Sequence, residues 1–227
     1  ILTQGIPESM LAIRIEDFEN NLPPGIKLAY LPSPMSVRLR LSATGDDKDE
    51  LKRIVEAEAE KLQQIIPEAI YGYGNETMAE AIGKMLLPQG KSLAVAESCT
   101  GGFISHLITS VPGCSAWYKG SVTAYSNEVK EKLLVVKTET LINFGAVSEE
   151  TACEMAIGAR KVLNADFAVA TTGIAGPDGG TPDKPVGTVW IAVATDKTVK
   201  AKKLLLATTA KEILFVPDKP LCNFCVR

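Results

Sequence analysis

Apolar and polar positions alternate in two distinct regimes along the chain. Residues 5 to 20 carry a helix-like spacing that ends at "NLPPG", where paired prolines and a glycine forbid a helix. "IKLAYLP" and "SVRLRLSA" then alternate with the period of two expected of strands. Asp46 and Asp47 follow as caps for a helix whose Leu51, Ile54, Val55, Leu62, Ile65 and Ile66 share one face. This β-β-α pattern, about residues 22 to 67, stops at Pro67. From "IYGYGNETM" onward the pattern changes. Asn75 is placed to cap a helix running to about Leu87, and Gly90 ends it. Strands are predicted at 92–97, 117–125, 166–172, 186–195 and 198–206, and helices at 100–110, 127–135 and 148–163. The last helix presents Ala152, Met155, Ala156, Ala159, Val162 and Leu163 to a core. "FAVATT" and "TVWIAVAT" are too apolar for a sheet with one wet face, so helices should cover both faces of a mixed sheet. The expected fold is a three-layer α/β/α sandwich preceded by a small α+β domain.

Composition narrows the function classes. The chain has 227 residues and a formal net charge of −3, without the basic excess of a nucleic-acid or acidic-membrane binder. No apolar run approaches the roughly 20 residues needed to span a bilayer. The opening "ILTQGIPESM" lacks the features of a signal peptide and reads as part of a longer chain. Five cysteines, at 99, 114, 153, 222 and 225, argue against a disulfide framework and for a reducing cytoplasm. Cys222 and Cys225 form a C-x-x-C, but zinc would need two further ligands, so no metal is expected.

Three glycine-bearing loops follow predicted strands, where backbone N–H groups gather. In "AESCTGG", Ser98 and Cys99 are adjacent nucleophile candidates, and Gly101 and Gly102 permit a close backbone approach. A serine N-cap with a tight turn explains the same residues equally well. In "VTAYSNEVK", Lys130 falls in the first turn of a helix, where the dipole and burial would lower its pKa and make it a base. From these residues alone, a solvated lysine beside Glu131 is the favoured reading. "TTGIAGPDGGTPDKPVGT", residues 171 to 188, matches neither standard nucleotide fingerprint, although its backbone could cradle a phosphate. The chain's single histidine, His106, lies eight residues beyond Ser98, roughly 12 Å along a helix. A serine–histidine pair needs contact at about 3 Å, so a Ser-His-Asp triad within one chain is excluded.

Taken in order, "AESCTGG", "VPGCSAWYKGSVTAYSNEVK", "GAVSEETACEMAIGAR" and "TTGIAGPDGGTPDKPVGTVW" resemble the CinA family, specifically its C-terminal nicotinamide-nucleotide amidase domain. The match spans about residues 75 to 195. "LPPGIKLAYLPSPMSVRLRLSATG" resembles the family's small KH-type domain, and "GIPES" the end of its molybdopterin-binding-like domain. The resemblance implies residues 1–21 as a remnant of that domain with a linker helix, 22–70 as the KH-type domain and 71–227 as the amidase domain. It further implies hydrolysis of nicotinamide mononucleotide to nicotinate mononucleotide and ammonia, in pyridine-nucleotide salvage and without a cofactor. Carried over by motif, Ser98 would be the nucleophile, Lys130 its base, and Tyr125 a hydrogen-bonding partner within the dyad. Backbone N–H groups from Thr100 to Gly102 would hold the oxyanion. Glu97, Thr100, Gly101, Gly102, Asn127, Thr172, Gly173, Ala175, Gly176 and Lys211 would bind the substrate. Lys211 or Ala210 stands about where the family carries a tail arginine that meets the substrate phosphate. The expected partner is this small nucleotide, not nucleic acid or membrane, and a homodimer is the assembly to test. Two other readings stay open: a non-enzymatic nucleotide-binding module, and an enzyme with Cys99 as nucleophile.

Overall fold

The computed structural model describes residues 1–33 and 36–205. The chain divides into two compact units, Ile1–Ala81 and Ile82–Arg227.

In the first unit, strands β1 (Leu2–Gln4), β2 (Ile26–Ser33), β3 (Ser36–Ala43) and β4 (Ile70–Gly72) form an antiparallel sheet in the order β2-β3-β1-β4. Alternation in β3 buries Val37 and Leu39 while Arg38 and Arg40 face outward. Helix α3 (Lys48–Ile65) starts where the Asp47 carboxylate accepts from the N–H groups of Asp49 and Glu50, each at 3.0 Å. It buries Leu62, and Ile66 just beyond its end is buried too, whereas Ile65 is exposed and does not share the core face. Glu58 occupies the buried line instead, paired with Lys61 at 2.6 Å.

The first 21 residues depart from the expectation of a separate remnant. Residues 2–4 form an inner strand of this sheet. The expected single helix is two, α1 (Glu8–Arg14) and α2 (Glu16–Asn20), broken at Ile15. Leu11, Ile15 and Phe18 share one core with Val37, Leu39, Leu62 and Ile66. A three-residue strand shows no alternation to read, so only its pairing partners define it.

Helix α4 (Met78–Leu86) follows a capping box rather than Asn75. The Thr77 hydroxyl accepts from Glu80 N–H at 3.2 Å, and the Glu80 carboxylate accepts from Thr77 N–H at 2.7 Å.

The second unit holds a five-stranded mixed sheet of β5 (Leu93–Glu97), β6 (Tyr118–Thr123), β7 (Phe167–Gly173), β8 (Thr188–Ala194) and β9 (Val199–Leu205), ordered β6-β5-β7-β8-β9. β5 runs parallel to both β6 and β7, and β8 and β9 add antiparallel. Its helices are α5 (Phe103–Thr109), α6 (Asn127–Leu134), α7 (Thr138–Phe144) and α8 (Glu149–Val162). α7 is absent from the predicted elements. α5 begins three residues later than predicted, because Gly101 (φ 60°) and Gly102 (φ 99°) take left-handed conformations.

The pleat sorts side chains to two helical layers. Ala94, Ala96, Ala168, Ala170, Ala192 and Ala194 meet Ala152, Met155, Ala156 and Ala159 of α8, so small residues on both sides bring helix and sheet close. Val162, predicted for this face, is exposed. Leu93, Val95 and Glu97 point the other way, toward α5, whose first turn the Glu97 carboxylate meets. Helices therefore cover both faces, as the apolar strands required. Among the described residues no helix is long and apolar enough to cross a membrane.

Candidate active site

The chain leaves β5 in one direction to reach β6 and returns across it to reach β7, so the carboxyl end of β5 is a topological switch point. Glu97 pairs with Thr123 on one side and Thr171 on the other, bringing the ends of the three parallel strands together. Ser98 stands at that crevice, with its N–H on the Thr171 carbonyl at 3.0 Å. The pleat turns Glu97 toward α5 and the next residue, Ser98, toward α6.

Helix α6 supplies the partner. The Ser126 hydroxyl caps it by accepting from Val129 N–H at 3.3 Å. A long helical side chain leans back toward the helix N-terminus, and Lys130 does so. Its Nζ lies 3.0 Å from Ser98 Oγ, 2.8 Å from the Ala124 carbonyl and 3.1 Å from the Tyr125 carbonyl. Lys130 is 1% exposed and Ser98 8%. Among the described residues no carboxylate pairs with Lys130. Burial holds its pKa below the usual lysine value, against an opposing pull from Cys99. The Ala124 N–H donates to the Glu97 carbonyl at 2.7 Å, so the acceptor that holds Lys130 is itself fixed to the strand bearing Ser98.

Glu97 is fully buried. Its carboxylate accepts from the N–H groups of Gly102, Ile104 and Ser105 at 3.0, 3.1 and 2.8 Å. Expected to bind substrate, it instead closes the amino end of α5 and shapes the turn that carries Ser98. Thr100 is likewise turned inward, its hydroxyl 2.9 Å from that of Thr171. Of the expected oxyanion donors, Gly101 N–H is bonded to the Ser98 carbonyl at 3.2 Å and Gly102 N–H to Glu97. Among the described residues, the N–H groups of Cys99 and Thr100 have no backbone carbonyl partner, and they lie beside the Cys99 thiol, a weak acceptor. Burial pushes that thiol up to about 12, which removes the thiolate a cysteine nucleophile requires.

Tyr125 departs from its expected role. Its side chain is 76% exposed, and its carbonyl, not its phenol, meets Lys130. Asn127 is exposed at the start of α6. Thr172 is buried, its hydroxyl donating to the Ala146 carbonyl at 2.7 Å, while Gly173 at the end of β7 and Ala175 and Gly176 on the loop leaving it are half-buried. His106 is exposed on α5 beside the Phe103 ring. Lys211, Ala210, Cys222 and Cys225 lie outside the described residues. Among the described residues no group of three or more His, Cys, Asp or Glu side chains is arranged to hold a metal ion. Sequence reasoning missed Ala124 and Thr171, which act through backbone carbonyls and leave no side-chain signal to find.

Comparison with known protein families gives two matches along the chain. A family model described as the CinA C-terminal domain matches residues 75–215, and one described as the damage-inducible protein CinA KH domain matches residues 1–72. This chain belongs to the CinA family. A CinA-like protein of Amoebophilus asiaticus is 49% identical over 206 residues, covering 91% of this chain and 50% of that protein. One from Cytophaga hutchinsonii is 46% identical over 207 residues, with 91% and 50% covered. The chain thus spans about half the length of these CinA relatives. Among solved structures, the competence/damage inducible protein CihA from Agrobacterium tumefaciens aligns with a TM-score of 0.63 at 38% identity, over 66% of this chain and 92% of that one. A CinA superfamily protein from Escherichia coli aligns at 0.62 and 30% identity, over 65% and 87%.

Proposed function

We propose that this chain hydrolyses the carboxamide of nicotinamide mononucleotide, giving nicotinate mononucleotide and ammonia through an acyl-enzyme on Ser98. The observation that carries this reading is the 3.0 Å contact between a buried Lys130 Nζ and Ser98 Oγ, with two backbone carbonyls as the amine's other neighbours. A neutral amine has two N–H donors and one lone pair. With both donors on the carbonyls of Ala124 and Tyr125, the lone pair faces the Ser98 hydroxyl.

Lys130 takes the Ser98 proton as the oxygen attacks the carboxamide carbon, forming the C–O bond and a tetrahedral oxyanion. The N–H groups of Cys99 and Thr100 are the proposed donors to that oxyanion, a far stronger acceptor than the thiol beside them. The lysine ammonium then gives its proton to the departing nitrogen, the C–N bond breaks, and ammonia leaves. Water repeats the sequence on the ester, and Lys130 returns the last proton to Ser98.

Ammonia release from the mononucleotide tests the reading. Ser98→Ala and Lys130→Ala should each lose about 10²- to 10⁴-fold in kcat. Cys99→Ala should stay close to wild type. Undiminished release from Ser98→Ala would exclude the dyad, and nucleotide binding without release by the wild type would favour a binding module.

A further inference from the structure

The long loop between β7 and β8 carries a cation that no step above uses. Residues 174–187 leave the carboxyl end of β7 and close on themselves, with Ile174 N–H on the Thr188 carbonyl at 2.9 Å and Gly187 N–H on the Ile174 carbonyl at 2.8 Å. Within the loop, Thr181 N–H donates to the Lys184 carbonyl at 2.9 Å, and Lys184 N–H to the Thr181 hydroxyl at 3.1 Å. This small ring fixes the backbone of Lys184. Its half-buried side chain reaches the end of α7, donating to the Phe144 carbonyl at 2.7 Å. A side chain added at Gly145 would come within 3.6 Å of the amine.

This amine belongs to the same end of the sheet as Ser98. Gly145 is followed by Ala146, whose carbonyl accepts from Thr172, and the Thr171 carbonyl holds the Ser98 N–H. An ammonium has three donors, and the Phe144 carbonyl takes one. Among the described residues no carboxylate pairs with Lys184. Here a cation is held at the end of α7, on the side of the sheet where its strands reach Ser98, with donors to spare.

We propose that Lys184 receives the phosphate of the substrate, making it a specificity-determining residue that favours nucleotides over nucleosides. The proposal rests on the amidase reading and locates the phosphate contact within the sheet domain, independent of Lys211. Lysine meets a phosphate as a point charge rather than a bidentate fork, so the preference it confers is for charge more than for orientation.

The test compares kcat/KM for the mononucleotide with kcat/KM for the dephosphorylated nucleoside. In Lys184→Met the ratio should fall about 10- to 100-fold, the range of one charge-assisted hydrogen bond. Lys184→Arg should keep the ratio within a few-fold. Inorganic phosphate should compete with the nucleotide in the wild type and lose that effect in Lys184→Met. A loop clamp alone would lower both rates together, so an unchanged ratio overturns the proposal. If the wild type releases no ammonia from either compound, the amidase reading fails separately. Calorimetric binding then decides the subsite: tighter nucleotide than nucleoside binding that is lost in Lys184→Met supports it, and equal affinities in the wild type overturn it.

Discussion

A lysine sealed from water must place three N–H donors as an ammonium but only two as an amine. Lys130 has two backbone carbonyls and one hydroxyl within reach, an arrangement that either state can satisfy. Burial tips the balance toward the amine by lowering the pKa from the usual 10.5. The catalytic consequence is a rise of kcat/KM with pH through the folded value, levelling above it. A limb sitting unshifted at 10.5 would contradict a buried base. The stability consequence has the same direction. Between the folded value and 10.5 the unfolded chain binds more protons at this site than the native one, so stability rises with pH across that window. Below the window both states are protonated and the cost of burying the ammonium is complete. Melting curves of wild type and Lys130→Met over this pH range should therefore converge, or cross, as pH rises. Glu97 illustrates the opposite solution: three N–H groups surround its carboxylate, so the residue beside the nucleophile keeps its polar partners inside the protein.

The helix that carries Lys130 is set by its neighbour. Gly158 of α8 lies so close to α6 that a Cβ placed there would come within 1.9 Å of the Leu134 carbonyl. A glycine in a helix interior costs about 1 kcal/mol relative to alanine, and here close packing of α6 on α8 explains its presence. Gly158→Ala should destabilise by about 3 kcal/mol, because backbone must move to admit the methyl group. It should also lower ammonia release in the fraction that remains folded, since a displaced α6 carries Lys130 away from Ser98. Thermal unfolding and single-turnover rates read the two effects separately, and unchanged values for both would show that the helices tolerate separation. α7 between them escaped the sequence pattern because it has only seven residues and leaves Ile142 and Phe144 exposed. So short a helix shows scarcely two turns of periodicity to detect.

Across the sheet domain, the end of the strands remote from Ser98 is pinned by a single carboxylate. Asp166 accepts from the Lys91 ammonium at 2.8 Å and from the N–H and hydroxyl of Ser92 at 2.9 and 2.8 Å, joining segments 74 residues apart. The Lys91 hydrogen bond, with help from Ser92, draws the acid down from 3.8 to about 2. A depressed carboxylate contributes stability above its unfolded value, and that contribution fades as pH falls from 3.8 toward about 2. Asp166→Asn should thus cost about 1 kcal/mol near neutrality, after allowance for solvent screening at this open rim, and almost nothing at the acid end. Chemical denaturation at several pH values measures the difference. A constant gap between the two proteins would mean that the ionised carboxylate is not what joins the strands.

Long periodic segments were legible from the chain alone. The α3 pattern, the apolar runs of β5, β7 and β8, and the turn at Ser98 follow from local spacing, which is a property of neighbours in sequence. The distance from Ser98 to His106 was legible for the same reason, since a helix rises by a constant amount per residue. Motif order likewise pointed to Ser98 and Lys130 before any coordinates. Sheet pairing decided what spacing could not. It recruited Leu2–Gln4 into the first sheet and brought Thr100 to Thr171, while the turns after β5 and β6 drew Glu97 inward and enlisted the carbonyls of Ala124 and Tyr125. The pairing of Leu2–Gln4 and the Thr100–Thr171 contact join residues far apart in the chain, whereas the Glu97 and Lys130 contacts are near in sequence but fall on backbone groups that every residue shares. A backbone carbonyl carries no residue-specific mark, so only the folded turn between β6 and α6 could aim two of them at one lysine.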